Sequence, residues 1–168
     1  MVAFATINLG EMAVQAGDFH AGLDYSKRAA DLFRDLGDDG GLIMALGNCG
    51  WSSLGLSNPV RAAAFFREAL VSVAPVNART SRACVAVFGL AAALVALHEE
   101  ERGAQLLGAA AWLRDELGIG FHDEQEEQSH ERTAAEAKAA LGGETFATAW
   151  AQGEAMTPEE ILAFAQAG

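Results

Sequence analysis

The stretch AGDFHAGLDYSKRA, residues 16–29, decides the fold of this chain. Gly17 and Asp18 combine the backbone freedom of glycine with a short polar helix cap, which is how one helix turns into the next. Beyond the turn, the small residues Gly22 and Ala29 allow the preceding helix to approach closely. The stretch therefore predicts the turn and the second helix of a helical hairpin.

The same pattern recurs along the chain. A shift of 40 residues, and then one of 42, places small residues on small ones and large residues on large ones. The aligned sets are Gly10/Gly50/Ala92, Gly22/Ala62/Ala104, Tyr25/Phe65/Leu107 and Ala29/Ala69/Ala111. We predict three hairpins, over residues 2–36, 41–73 and 82–117, with a loop at 74–77 between the last two. Phe33, Phe66 and Leu106 should fill the space between neighbours, because no single hairpin can bury its apolar face.

Composition supports an all-α fold. The 168 residues suit one domain, and 36 alanines stand against 13 valines and isoleucines, which favours helices over strands. A hydrophobic fraction of 51% is too high for a disordered chain. The net charge of −12 excludes a nucleic-acid-binding surface, which needs clustered lysine and arginine.

The chain shows no secretory signal pattern and no apolar run long enough for a membrane span, so we expect a cytoplasmic protein without membrane contact. Cys49 and Cys84 lie within helical patterns without metal-ligand spacing. We therefore expect reduced core thiols rather than a disulfide.

Residues 16–29 resemble the centre of a tetratricopeptide repeat, which has a Gly-Asp-aromatic turn followed by small residues at fixed spacing. The longer unit resembles the lengthened repeats of large bacterial signal-transduction regulators. This resemblance implies a right-handed α-solenoid of three hairpins over residues 1–118. Residues 119–168 should add an acidic helix and capping helices in one continuous domain, the last helix being capped by Thr157 and Glu160.

Residues 102–165 are similar to the C-terminal ends of actinobacterial-type LuxR-family and related STAND ATPase transcriptional regulators. The positions that carry this similarity are Leu106 to Ala110, Leu113-Arg114, Leu117-Gly118, Leu141-Gly142, Phe146, Ala149-Trp150, Gly153, Met156, Glu159-Glu160 and Ala163. The resemblance implies the C-terminal portion of a bacterial transcriptional regulator. The sequence has no phosphate-binding loop and no basic helix-turn-helix, so we expect a fragment or a short relative of such a regulator. We expect its N-terminal face to be apolar, exposed and bound to another surface.

Enzymatic chemistry is not predicted, since no catalytic motif is present, and we expect no cofactor. His122, Glu126 and His130 are spaced to share one helix face and hold a metal, but a solvated polar face is the interpretation we favour. Residues 99–136 carry 11 acidic residues against three arginines. This stretch predicts either a solvated face or a docking surface for a basic partner.

The first helices of tetratricopeptide-like stacks line a groove, and this resemblance assigns eight residues to it: Phe4, Ile7, Glu11, Gln15, Met44, Trp51, Leu54 and Leu97. Such a mostly apolar groove favours an amphipathic helix or an apolar ligand over an acidic peptide. The alternative occupant is the chain's own last helix. We therefore predict a non-enzymatic protein-interaction module that binds a protein or another domain of a longer regulator, the alternatives being an effector sensor and a dimerisation unit.

Overall fold

The computed structural model describes residues 2–73, 80–121 and 124–167, and this part of the chain is entirely helical and turn. The all-α prediction is thus confirmed. The predicted loop at 74–77 and His122 lie outside the described residues. In order, the helices are α1 (Val2–Gln15), α2 (Phe19–Leu36), α3 (Asp39–Gly55), α4 (Pro59–Val71), α5 (Ser81–Ala96), α6 (Glu100–Leu117), α7 (Glu124–Leu141), α8 (Gly143–Glu154) and α9 (Pro158–Gln166).

The helices pack as sequential antiparallel pairs, and the three predicted hairpins correspond to α1–α2, α3–α4 and α5–α6. Each second helix also packs on the first helix of the next pair. The predicted cap is present, because the Asp18 carboxylate accepts a hydrogen bond from the amide of Ala21 at 3.0 Å. Asn58 caps α4 in the same way.

A residue with left-handed backbone sits between the two helices of each of these pairs. These residues are Gly17, Ser57 and His98, at φ of 78°, 56° and 62°. They lie 40 and 41 residues apart, so the second predicted spacing of 42 is wrong by one residue. Gly103 and Ala91, not Ala104 and Ala92, therefore take the places of Gly22 and Gly10.

Large side chains of the second helices fill gaps at glycines of their neighbours, as predicted. Phe66 of α4 lies against Gly50 of α3, where an added Cβ would meet the ring at 2.5 Å, and against Gly89 of α5. Phe33 of α2 lies against Gly41 of α3 in the same manner. Phe66 and Phe33 are fully buried. These contacts join successive pairs into one hydrophobic core.

The C-terminal helices depart from simple stacking. Helix α8 crosses α6 with the two backbones in direct contact. A Cβ added to Gly153 would overlap the carbonyl oxygen of Gln105, and a Cβ added to Gly108 would overlap that of Trp150. Helix α9 packs on α4 and α6. It is held there by Arg67, which donates to the carbonyl oxygen of Ala165, and by Arg102, which donates to that of Phe164.

Candidate interaction surface

Helix α1 carries four of the seven large hydrophobic side chains that the described residues leave strongly exposed. Three of them, Val2, Leu9 and Met12, are 70%, 48% and 65% exposed. Ala5 is also exposed, and the spacing of three, four and three residues places all four on one side of a helix. We call Val2, Ala5, Leu9 and Met12 the α1 stripe.

The α1 stripe occupies positions that are core positions in the other first helices. With the spacings of 40 and 41 residues, its equivalents are Leu42, Ala45, Cys49 and Ser52 in α3, and Ala83, Ala86, Leu90 and Ala93 in α5. Each of these eight residues is at most 9% exposed. The stripe therefore has the character of an interior surface that nothing covers within the described part of the chain.

A preceding second helix accounts for the difference. Helix α2 runs antiparallel along α3, with Phe33 against Gly41 at one end and Gly22 near Ser52 at the other. An added Cβ on Gly22 would lie 3.0 Å from the Ser52 hydroxyl oxygen, and Ser52 is the equivalent of Met12. Helix α4 covers α5 likewise, through Phe66 on Gly89.

A second uncovered apolar feature lies in the last pair, between α7 and α8. It is an open groove of about 550 Å³, a volume within the usual range of ligand and helix-binding clefts. Its walls are Ala134, Ala135 and Lys138 of α7 together with Gly143, Phe146, Ala147, Trp150, Ala151 and Glu154 of α8. Apart from Lys138 and Glu154, these residues are apolar or glycine.

The eight residues predicted to line a groove are placed differently. Glu11 and Gln15 are exposed, and Phe4 is 51% exposed with its ring edge on Phe33. Ile7 is only 1% exposed and belongs to the core. Met44, Trp51, Leu54 and Leu97 are half-buried against the core. None of the eight lines the α7–α8 groove or the small cavity described next.

The alternative occupant of that predicted groove, the chain's own last helix, lies elsewhere. Ile161, Leu162 and Ala165 of α9 are buried, but the helix packs on the second helices α4 and α6 and not along the first helices. The ring of Phe164 lies 5.4 Å from the Arg102 guanidinium. Helix α9 therefore leaves the α1 stripe and the α7–α8 groove open.

His130 is buried, which corrects the expectation of a solvated face on α7. Its ring stacks on Phe88 of α5, with centroids 4.0 Å apart, and it is 6% exposed. Among the described residues, its Nε2 has no hydrogen-bond partner. Burial, assisted by the nearby Arg114 and opposed by Glu126, lowers the pKa of His130 to about 4. The ring is thus a neutral core group at physiological pH.

His130 lines a cavity of about 10 Å³, barely one water molecule in size, together with Cys84, Phe88, Arg114 and Glu126. Burial raises the pKa of the Cys84 thiol to about 11 and that of Cys49 to about 12, so neither thiol is a nucleophile near neutral pH. Both cysteines are free and buried, as predicted. In the described ranges, no group of three or more histidine, cysteine or acidic side chains is arranged to hold a metal ion.

No helix in the described part of the chain has both the length and the apolar character that crossing a membrane requires. No family model, curated protein or solved structure matches the chain. The α1 stripe was foreseen only as an apolar N-terminal face. The spacing of three, four and three residues in the sequence is enough to predict which residues form this face. For the α7–α8 groove, the sequence offers only the alternation of alanine and aromatic residues in α8.

Proposed function

We propose that the chain is a non-enzymatic, tetratricopeptide-like protein-interaction module that binds a partner helix through the α1 stripe. The observation that carries this proposal is the repeat equivalence. Positions that are buried under a second helix in α3 and α5 are exposed at the equivalent places in α1, as with Met12, whose side chain is 65% exposed. Apolar side chains grouped on one exposed face are typical of protein interaction sites.

The partner's chemistry follows from the way α2 covers α3. A helix on the α1 stripe would run antiparallel to α1, since the C-terminal Phe33 of α2 meets the first turn of α3. It would present a small residue where it lies against the stripe, as α2 does with Gly22, whose added Cβ would lie 3.0 Å from the Ser52 hydroxyl oxygen of α3. Binding of an amphipathic helix to an apolar surface through its own apolar face is a common mode of protein recognition.

The setting we propose is regulatory, within a bacterial transcriptional regulator of the LuxR or STAND type. Support comes from the resemblance of residues 102–165 to the ends of such proteins, an argument by analogy. Several positions of that resemblance have structural roles here: Gly108 and Gly153 form the close crossing of α6 and α8, and Gly118 ends α6 in a left-handed conformation.

The test uses the chain's own covering helix as a probe. A labelled peptide with the sequence of α2, residues Phe19–Leu36, is titrated with the intact protein and followed by fluorescence anisotropy. We expect saturable binding that weakens at least tenfold, equivalent to about 1.4 kcal/mol, in Met12→Glu. Loss of a Met side chain from an apolar contact contributes about that much or more.

The matched control is Val60→Glu, because Val60 is 67% exposed on α4 and lies outside the stripe. It adds the same negative charge and should bind the peptide as the unmodified chain does. Absence of binding at about 1 mM peptide would refute the proposal. So would equal binding by Met12→Glu, since the peptide would then be displacing α2 from α3.

A further inference from the structure

The last two helices are attached to the stack in different ways. Asn58 and Glu99 are the N-caps of α4 and α6, so Gly108 of α6 is the equivalent of Arg67 of α4. At Gly108 the backbone of α8 lies in direct contact with that of α6. At Arg67 helix α9 is bound through a side chain, whose Nε donates to the carbonyl oxygen of Ala165 at 3.2 Å. Releasing α9 from α4 therefore breaks side-chain contacts, whereas releasing α8 from α6 would break a backbone contact.

Two arginines from different helices hold the C-terminal end of α9. Arg102 of α6 donates to the carbonyl oxygens of Phe164, at 3.4 Å, and of Ala167. Arg67 donates to that of Ala165, which lies between them in the chain. The last carbonyl groups of a helix lack partners within the helix and form the negative end of its dipole. The stack therefore binds α9 through the chemistry that is specific to a helix C-terminus.

Helix α9 is a self-contained docking segment. Pro158 begins it, and Thr157 and Glu160 form its capping box, so its first turn is capped by its own residues. It has nine residues, and isolated helices shorter than about 12–15 residues are marginal in water. It packs on α4 and α6 rather than on α8, to which residues 155–157 connect it. Its helical form therefore depends on docking, and it should fold and dock in one step.

We propose that α9 is a detachable internal ligand, which covers a helix-binding face on α4 and α6 until a partner helix replaces it. We call this surface, marked by Arg67 and Arg102, the α9 face. The partner helix has the chemistry of α9, in which Ile161, Leu162 and Ala165 are buried and the C-terminal carbonyl groups are open to the arginines. The contact between α9 and this face is autoinhibitory, because the chain's own helix competes with the partner.

The tether makes this competition strong. A segment joined by a short linker is present at its own site at an effective concentration of about 1 mM. A partner binds only the fraction of molecules in which α9 is released, so its apparent affinity falls by that fraction. The α9 face is on α4 and α6, and the proposal therefore does not depend on the α1 stripe.

The experiment uses the α9 segment as the probe. A labelled peptide with the sequence of residues 155–167 is titrated with the full chain and followed by fluorescence anisotropy. Ile161→Asp places a charge at a position that is 1% exposed, which releases the chain's own α9 and leaves the α9 face unchanged. Ala163→Asp, at an exposed position of the same helix, is the control of equal charge. We expect Ile161→Asp to bind the peptide about tenfold or more tightly than the unmodified chain and Ala163→Asp do.

Two further titrations show where the peptide binds. Adding Arg102→Ala to Ile161→Asp should weaken peptide binding about fivefold, because the arginine donates to carbonyl oxygens of α9. A peptide that itself carries Ile161→Asp should not bind. The Ile161→Asp chain should bind the α2 peptide as the unmodified chain does, since the α1 stripe is untouched. Failure at the α9 face is thus separate from failure at the stripe.

Hydrogen exchange of the unmodified chain gives a test that needs no variant. The hydrogen-bonded amides of α9 should exchange through local opening, with protection about tenfold or more below that of α4 and α6. Equal protection in the three helices would overturn the inference. So would an Ile161→Asp chain that loses the helicity of the whole stack in circular dichroism, because α9 would then be an integral part of the core. A folded Ile161→Asp chain that binds no peptide at about 1 mM would overturn it as well.

Discussion

Protonation of His130 should destabilise the contact between α7 and α5. The neutral ring lies flat on Phe88, and the centroid of the Phe121 ring is 5.4 Å from that of His130. The charged groups that face it are Arg114 on α6 and Glu126 on its own helix, and the Cys84 thiol lines the same small cavity. A proton on the ring would therefore be held in an apolar place beside a guanidinium, without a described partner for Nε2.

The magnitude follows from the two pKa values. Burial lowers the pKa of His130 from 6.5 to about 4, so the folded chain binds fewer protons than the unfolded chain between these values. The stabilisation is complete above pH 6.5 and is lost as the pH falls towards 4. At about pH 5.5 the expected loss is about 1.4 kcal/mol, a tenfold change in the unfolding equilibrium.

The assay is urea unfolding at about pH 7.5 and pH 5.5, both above the isoelectric point near 4.6, where a protein aggregates most readily. His130→Phe keeps a flat ring against Phe88 and removes the titration. Carboxylates titrate in both proteins. At each pH, the free energy of unfolding of the unmodified chain is therefore subtracted from that of His130→Phe, so that the change of this difference with pH reports on His130 alone. We expect this difference to change by about 1.4 kcal/mol in favour of His130→Phe at the lower pH.

Proton NMR of the histidine rings gives an independent measurement. It follows the protonation of the His130 ring directly, where a pKa near 4 is expected. His130→Leu repeats the unfolding experiment in case phenylalanine does not fit the site. Parallel loss of stability in the unmodified chain and both variants would refute the reasoning, and so would a His130 resonance that titrates with a pKa near the ordinary 6.5.

The remaining predictions concern packing, the C-terminal helix and the thiols. Gly153→Ala should cost about 2 kcal/mol in chemical unfolding, because its Cβ would overlap the α6 backbone. Gly47→Ala should gain about 0.5–1 kcal/mol, because its Cβ would meet nothing within 4 Å apart from its chain neighbours and the backbone of its own helix. Arg102→Ala should lower hydrogen-exchange protection in α9 by about fivefold, equivalent to about 1 kcal/mol, since this arginine bonds to carbonyl oxygens there. Cys49 and Cys84 should react with a thiol reagent at pH 8 only as the chain unfolds, so both thiols should become reactive over the same range of urea concentration. Fast reaction of either thiol in the folded chain would contradict their burial.

Much of the fold was readable because its determinants are local. The turn at Gly17 and Asp18 and the capping box of Thr157 and Glu160 use short-range hydrogen bonds, and both form as predicted. The Thr157 amide donates to the Glu160 carboxylate, which lowers the pKa of that group. Small residues at helical spacing identified the hairpins without any knowledge of their neighbours.

The predictions that are wrong depend on the alignment of one repeat unit with the next or on the packing of one helix against another. In an alanine-rich chain, Ala91 and Ala92 align equally well with Gly50, and only the backbone of His98 shows that the second unit is 41 residues long. The resemblance to tetratricopeptide stacks places Ile7 in a groove, but the side chain is only 1% exposed and belongs to the core. The polar residues around His130 in the sequence predict a solvated position, whereas Phe88, its stacking partner, is on another helix.

The polarity of α7 explains why the last pair leaves a groove. Among its described residues, the side chains that α7 buries are His130, Thr133 and Ala137, so it offers little apolar surface to α6. Helix α8 instead supplies the close contact, with Gly153 at the α6 backbone and Ala149 buried beside it. Because α8 turns its small residues towards α6, its other side, with Phe146, Ala147 and Ala151, faces α7 across an open space. Filling that space would add the apolar burial that α7 by itself does not provide.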